Sequence, residues 1–211
     1  MSVKAHEAYC LDSAQDRLLF YDDFLGDSIR DLWTAAGTGS AAVVDAQDGG
    51  VVRLTTGATS GNTEYMHWGD IRSLLVSKKV TMEVRAKLTQ TTYVDVWFSL
   101  YYDFNNQAFI QHGNNAVGAD TWDIRCINGG AATTFDSGIL ADTDYHIFRI
   151  EAFPTDEVHF YIDGVECANS PITTNIPSDA GDYLQPRLYV RTYADAAKSM
   201  DIDYVVCRQE I

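Results

Sequence analysis

Short runs of strand-forming residues recur along nearly the whole chain, and clusters of Gly, Asn, Asp and Ser separate them. Apolar and polar side chains alternate inside the runs. In 81–88, one side of the run consists of Met82, Val84, Ala86 and Leu88. Period-two alternation indicates a strand with one side in a core and the other in solvent. Turn clusters about every 8 to 14 residues are typical of an antiparallel sandwich or barrel, so the pattern predicts an all-β protein.

The domain organisation is predicted to be simple. The chain has 211 residues and only four prolines, a length that suits one large all-β domain. It contains no internal repeat and no low-complexity linker. We therefore expect an N-terminal arm over 1–18 and a single β-sandwich domain over 19–211. Within that domain, Asp163-Gly164 is a tight-turn signal that predicts a hairpin into 165–168.

The charge balance excludes several classes of partner. Fifteen Lys and Arg face thirty Asp and Glu, which gives a formal net charge of −15. Such a surface repels nucleic-acid phosphates and anionic headgroups, and no long basic run counteracts it. Apolar runs fall short of the roughly 18 to 20 residues of a membrane helix, and the first residues lack a signal-peptide core. We expect no nucleic-acid or membrane partner, and synthesis in the cytoplasm without a signal peptide.

The four cysteines are Cys10, Cys126, Cys167 and Cys207, and none forms a Cys-x-x-Cys pair. Their spacing does not resemble a zinc site. We expect reduced and mostly buried thiols. A Cys10 to Cys207 bridge stays open, because the terminal segments of β-sandwiches often lie side by side.

Two segments, 93–103 and 187–193, depart from the rule of a polar outer side. Each carries aromatic rings among polar groups on the side that should face solvent. Rings mixed with arginines and an aspartate suit a groove in which sugars stack and hydroxyls or carboxylates are hydrogen-bonded. The alternative is that the rings cover the sheet or a subunit contact. The predicted glycan-binding or interface residues are Tyr93, Asp95, Trp97, Tyr101, Arg187, Tyr189, Arg191 and Tyr193.

Four segments resemble the concanavalin A-like jelly-roll superfamily, which includes laminarinase- and lichenase-type glycosidases. They are Tyr-His-Ile-Phe-Arg-Ile-Glu at 145–151, Val-His-Phe-Tyr-Ile-Asp-Gly at 158–164, and the first and last strands at 20–24 and 200–205. The resemblance spans nearly everything after the arm and implies an antiparallel two-sheet jelly-roll sandwich. Because this fold carries lectins, hydrolases, lyases and virion proteins alike, it does not fix the function.

The glycosidases of this superfamily share a Glu-x-Asp-x-x-Glu strand, and the matching segment here departs from it. Retaining hydrolysis needs two carboxyl groups about 5 to 5.5 Å apart. Segment 93–103 contains no glutamate, and Asp95 has no carboxylate two or four residues on. The missing motif argues against a glycoside hydrolase and favours a non-enzymatic protein.

A polysaccharide lyase needs a carboxylate neutraliser, a base and an acid rather than a carboxylate pair. The candidates for these roles are Arg187 or Arg191, His112 or Gln111, and Tyr189 or Tyr193. The alginate-lyase families of this fold resemble such a set, but their signature segments are not matched here. A lyase is therefore the alternative function, ahead of a hydrolase.

The resemblance also implies a structural calcium ion on the convex side, held by carbonyl oxygens and an aspartate. Calcium binds six to eight hard oxygens. The matching positions are Asp23 in the first strand, Gly49 in the Gly-rich turn and Asp203 in the last strand. Without calcium, Asp201 and Asp203 would be outward residues of an edge strand. No other cofactor is expected.

The favoured hypothesis is a non-catalytic structural or binding module. An acidic, linker-free jelly roll with a short arm and no signal peptide resembles a bacteriophage virion component, such as a capsid decoration or tail-associated protein. This hypothesis implies a homo-oligomer in the virion, other virion proteins as partners, and lectin-like carbohydrate binding to a polysaccharide on the concave face. A scaffold without any ligand is the third interpretation.

Overall fold

The computed structural model describes residues 9–12, 17–44, 50–71, 73–113, 120–177 and 183–210, with side chains from residue 20 onward. All regular secondary structure in these ranges is β-strand, as predicted, and no helix there could cross a membrane. The strands are β1 (Tyr9–Asp12), β2 (Arg17–Asp22), β3 (Thr34–Gly37), β4 (Ser40–Val44), β5 (Val51–Thr55), β6 (Thr63–His67), β7 (Leu74–Leu75), β8 (Val80–Leu88), β9 (Val94–Asp103), β10 (Asn106–His112), β11 (Thr121–Asn128), β12 (Ala131–Leu140), β13 (His146–Phe153), β14 (Glu157–Ile162), β15 (Val165–Glu166), β16 (Tyr183–Thr192) and β17 (Ser199–Glu210).

The strands form two antiparallel sheets that enclose one core. The nine-stranded sheet has the order β1-β2-β17-β8-β13-β14-β15, with β5 paired to β17 and β4 to β5. The eight-stranded sheet has the order β12-β11-β10-β9-β16-β6-β3, with β7 paired to β16. The first and last long strands are neighbours, since Phe20 of β2 lies opposite Cys207 of β17. The predicted two-sheet jelly-roll sandwich is confirmed.

The core lies between the sheets and is built from the alternating apolar positions. Every second residue of β8, from Val80 to Leu88, is buried. Across the sandwich, the Phe98 ring stacks on Phe148 with 4.4 Å between centroids, and Trp122 meets Phe148 edge-on at 4.5 Å. Apolar burial of this kind is the main favourable contribution to folding, so these strands fix the sandwich.

Strands β9 and β16 are neighbours in the middle of the eight-stranded sheet. Their antiparallel register sets Asp95 opposite Arg191, Trp97 opposite Tyr189 and Tyr101 opposite Gln185. The two segments that broke the polar-outside rule therefore lie side by side. Their aromatic and charged side chains share the outward side of this sheet.

The N-terminal segment is partly integrated into the nine-stranded sheet, because β1 pairs with β2 and β2 pairs with β17. The separate arm over 1–18 stays a prediction. Cys207 is a buried free thiol, and β2 separates its strand from that of Cys10, so the bridge left open above does not form. The predicted hairpin at Asp163-Gly164 is present, with Ile162 opposite Val165.

Candidate functional site

Three rows of side chains cross the outward side of the eight-stranded sheet, which we call the aromatic face. The strand registers define these rows. The first consists of Tyr65, Tyr189, Trp97, Gln111 and Asp123. The second consists of His67, Arg187, Ser99, Phe109 and Arg125. The third consists of Gln185, Tyr101, Gln107 and Ile127.

The rings of the aromatic face form a continuous stack. The Trp97 and Tyr189 ring centroids lie 4.5 Å apart at an interplanar angle of 25°. Tyr65 stacks on the other side of Tyr189 at 6.4 Å, and Phe109 lies 5.2 Å from Trp97. Phe109 and Tyr189 are buried, although they are not part of the core cluster between the sheets. The face thus has its own packed layer with half-exposed rings on top, a surface on which sugar rings can stack.

Polar atoms are buried beneath these rings without hydrogen-bond partners among the described residues. Eight of them lie on the aromatic face: Trp97 Nε1, Ser99 Oγ, Gln107 Oε1, Gln111 Oε1, Arg125 Nε, Gln185 Oε1, Arg187 Nη1 and Arg191 Nε. Each buried polar group without a partner costs about 1 to 3 kcal/mol, and native proteins keep few of them. Their concentration on one face indicates a surface that is completed by a polar ligand or by water.

The predicted residues at one end of the face form a hydrogen-bonded group. The Tyr193 hydroxyl donates to Asp95 Oδ2 at 2.6 Å, and the Arg191 guanidinium lies 4.7 Å from the Tyr193 ring. Burial, together with the Asp95 hydrogen bond, raises the pKa of Tyr193 to about 12. Tyr93 is exposed, and its carbonyl accepts from the Tyr193 amide. The structure therefore brings all eight predicted residues to one surface, with Tyr93 and Tyr193 at its margin.

The histidine of this face is one that the sequence analysis missed. His112 was a candidate lyase base, but it lies on the core side of β10 against Trp122. Its ring nitrogens are 3.2 and 2.9 Å from backbone carbonyls, so that assignment was wrong. His67 lies on the aromatic face instead, opposite Arg187. Its Nδ1 accepts from the Gly69 amide at 3.0 Å, which places the proton of the neutral ring on Nε2.

Burial lowers the pKa of His67, and the nearby Arg187 cation acts in the same direction. The ring is therefore neutral at physiological pH, with Nε2 as a hydrogen-bond donor. A histidine in this state can bind a ligand oxygen without adding a second positive charge beside Arg187.

Asp95 and Asp123 on this face are not spaced as the carboxylate pair of a retaining glycosidase is. Asp95 lies on β9 and Asp123 on β11, and β10 separates them. Two interstrand spacings alone amount to about 10 Å, twice the retaining separation of about 5 to 5.5 Å. The geometry agrees with the absence of the motif from β9.

The predicted calcium ligands are paired with arginines. Asp203 forms an ion pair with Arg85, and Asp23 Oδ1 lies 3.9 Å from Arg30 Nη2. Gly49 lies outside the described residues. No group of three His, Cys, Asp or Glu side chains in the described ranges could hold a metal ion. The Asp203 carboxylate would therefore have to leave Arg85 in order to bind calcium, and the calcium site stays a prediction.

The alternative interpretation of the last strand also needs correction. Strand β17 is an interior strand, because β2 and β5 pair with one of its edges and β8 with the other. Asp201 is buried and accepts from Arg53 Nε and Nη2 at 2.6 and 2.8 Å. Asp201 is thus an outward, paired residue, as expected without calcium, but it lies on an interior strand rather than an edge strand.

The two sheets and their connections define a jelly-roll fold of the concanavalin A-like type. No family model matches the sequence, and neither does any curated protein. Among solved structures, a Bacillus licheniformis β-glucanase superimposes with a TM-score of 0.66 at 16% identity, over 92% of this chain and 98% of that one.

Two further solved structures share the fold. A Bacteroides ovatus family 16 glycoside hydrolase in complex with a mixed-linkage glucan product has a TM-score of 0.65 at 13% identity, covering 88% of this chain and 98% of that one. A carbohydrate esterase from the Shiga toxin-encoding bacteriophage phi24B has a TM-score of 0.56 at 20% identity, covering 85% and 90%. At these identities the similarity establishes the fold alone.

Proposed function

We propose that this protein binds a carbohydrate on the aromatic face and does not cleave it by the retaining mechanism. The observation that carries the proposal is the coincidence of stacked rings with eight buried, unpartnered polar atoms on one sheet face. A sugar offers both kinds of contact, because its ring faces stack on aromatic rings and its hydroxyls donate and accept hydrogen bonds.

Fold neighbours support the choice of ligand class. One of them is a glucanase by name, and another, a family 16 glycoside hydrolase, was solved with a mixed-linkage glucan product. Soluble β-glucans are therefore the first neutral probes. The lack of glutamate in β9 argues for binding rather than hydrolysis here.

The test is calorimetric titration of the protein with soluble glycans. Trp97→Ala removes the ring at the centre of the stack and should weaken binding about 30-fold, the effect of losing a hot spot of about 2 kcal/mol. The matched control is Tyr161→Ala, which removes a half-buried ring on the outward side of the nine-stranded sheet. Equal affinities for both variants and the parent protein, or no glycan binding at all, would contradict the proposal.

The second candidate is a virion structural protein in which the same rings contact another subunit. Its support is the shared fold with a bacteriophage-encoded protein. Mass photometry tests it, with Trp97→Ala and Arg191→Ala as variants. A stable trimer or larger ring that the variants dissociate, without glycan binding, would favour the virion protein. A monomer that binds glycan would contradict it.

A lyase is the remaining alternative. Arg187, Gln111 and Tyr189 lie together on the aromatic face, as a lyase mechanism requires of its neutraliser, base and acid. His112 does not lie on this face. The test for a lyase is the release of unsaturated sugars from polyuronates, and unchanged polymer after prolonged incubation would exclude it.

A further inference from the structure

Arg187 is a buried cation without an acidic partner in the described part of the chain. Its relative exposure is 2%, and no described carboxylate forms an ion pair with it. Other described arginines either form an ion pair, as Arg53 does with Asp201 and Arg149 with Glu151, or are only partly buried, as Arg125 and Arg191 are. A buried charge is normally paired, so the exception at Arg187 requires an explanation.

Aromatic rings surround the Arg187 guanidinium. Its central carbon lies 4.5 to 5.0 Å from four ring centroids, those of Tyr65, Tyr101, Phe104 and Tyr189. The rings attract the positive charge through their faces but accept no conventional hydrogen bond there. Consistent with this, Arg187 Nη1 is buried without a partner. The rings stabilise the cation and leave part of its hydrogen-bonding capacity unused.

The neighbours of Arg187 in its row are also donors. Ser99 lies opposite on β9, and its hydroxyl has no partner among the described residues. His67 lies opposite on β6 and carries its proton on Nε2 in the neutral form. No acidic side chain occupies this row. The row therefore offers hydrogen-bond donors and the positive charges of Arg187 and Arg125 to an oxygen-rich, anionic group.

We infer that Arg187 binds the carboxylate of an acidic sugar, so that the ligand of the aromatic face is a uronate-containing polysaccharide. This inference rests on the proposed function and adds the substrate class. The planar guanidinium fork matches a carboxylate in geometry and charge. The flanking rings provide the stacking surface for the sugar that carries it.

Access to Arg187 is controlled by Phe104, which lies in the turn between β9 and β10. Its side chain is 57% exposed, and its ring lies 4.6 Å from the guanidinium. Exposed side chains change rotamer within nanoseconds, so Phe104 can uncover Arg187 without a change of the sheet. Tyr65, Tyr101 and Tyr189 would remain as the walls of the subsite.

The test compares two polymers that differ only at the carboxyl group, polygalacturonate and its fully methyl-esterified form. The experiment uses physiological salt to screen the long-range repulsion from the acidic protein. We expect the parent protein to bind the acid at least 10-fold more tightly than the ester. Arg187→Met should remove this preference and retain ester binding. The matched control Arg149→Met, at an acid-paired arginine that also stacks on a ring, should keep the preference.

Each outcome has a defined meaning. Equal binding of acid and ester by the parent protein overturns the inference and leaves the proposed function intact, whereas binding of neither polymer and of no neutral glucan overturns both. Competition by inorganic sulfate as strong as that by free galacturonate would indicate a general anion site and also overturn it. If Arg187→Met does not fold, the parent comparison still decides, and Phe104→Ala should strengthen binding of the acid but not of the ester.

Discussion

Replacing Arg187 by methionine should leave the fold as stable as before or make it more stable. Burial of a cation costs several kcal/mol even after relaxation. Against this, four ring contacts of about 0.5 to 2 kcal/mol each contribute about 2 to 8 kcal/mol. The two contributions nearly cancel. Methionine fills similar space with apolar contacts and carries no desolvation cost.

We therefore expect the free energy of unfolding to change by no more than about 2 kcal/mol. For a domain of this size, 1 kcal/mol shifts the Tm by about 2 to 4 °C, so the Tm should stay within about 8 °C or rise. Calorimetry and urea unfolding measure both quantities. A Tm that falls by more than about 8 °C would refute the reasoning, because it would show that the guanidinium holds the rings together.

Arg53→Met provides the comparison with the opposite sign. Arg53 donates two hydrogen bonds to the buried Asp201 carboxylate, and Lys87, at 3.8 Å, is the one ion-pair partner among the described residues that remains after the substitution. Loss of one partner of a buried polar group costs about 1 to 3 kcal/mol. A Tm lower by about 2 to 12 °C follows. A structural arginine and a ligand-binding arginine should thus differ in the direction of the effect.

Three further predictions concern other parts of the molecule. Burial alone would lower the pKa of His146, but hydrogen bonds to two aspartates raise it above its ordinary value. The protonated His146 therefore stabilises the fold below about pH 6.5, and this stabilisation is lost as the pH rises through the higher folded-state pKa. In His146→Gln, the free energy of unfolding in urea should lose this pH dependence, and the same pH profile as in the parent protein would contradict the prediction. Gly113→Ala should lower the Tm and weaken glycan binding, because Gly113 has a φ of +145° and a Cβ there would collide with the Asp95 side chain. Calcium or a chelator should leave the Tm unchanged, because Asp203 is already paired with Arg85; a rise with calcium would show that the ion displaces the arginine.

The outward placement of the predicted site residues could be obtained from the sequence, because side-chain direction in a strand follows a local period of two. Alternation in 93–103 and 187–193 separated Trp97 and Tyr189 from the core positions on either side. Their stacking could not be obtained this way. It depends on the pairing of two strands that are about 90 residues apart, and such long-range register is not contained in a local pattern.

The residues that the sequence analysis missed divide into two kinds. Gln107 and Phe109 alternate with buried Ala108 and Ile110, so the signal that identified β9 was also present in β10. The same alternation argues against His112 as the lyase base, because even-numbered residues of β10 face the core. For these residues, the period-two alternation of β10 was sufficient to predict which side chains face outward.

His67 is the second kind. It ends β6 beside a buried tryptophan, and nothing in the neighbouring residues distinguishes it from a strand-end histidine. Its relevance comes from its position opposite Arg187, which only the pairing of β6 with β16 creates. The unpaired state of Arg187 is likewise a three-dimensional property, because the sequence cannot show which acids approach an arginine.

Charged side chains are paired differently on the outward sides of the two sheets, and this contrast supports a ligand on the aromatic face. On the nine-stranded sheet the charges are satisfied within the protein, as in the pairs of Arg85 with Asp203 and of Arg149 with Glu151. The chain has twice as many acidic as basic residues, so acids were available for every arginine. None of those described pairs with Arg187, although pairing would remove the cost of burying its charge. The absence of an acidic partner for Arg187 among the described residues is best explained by a ligand that supplies the negative charge.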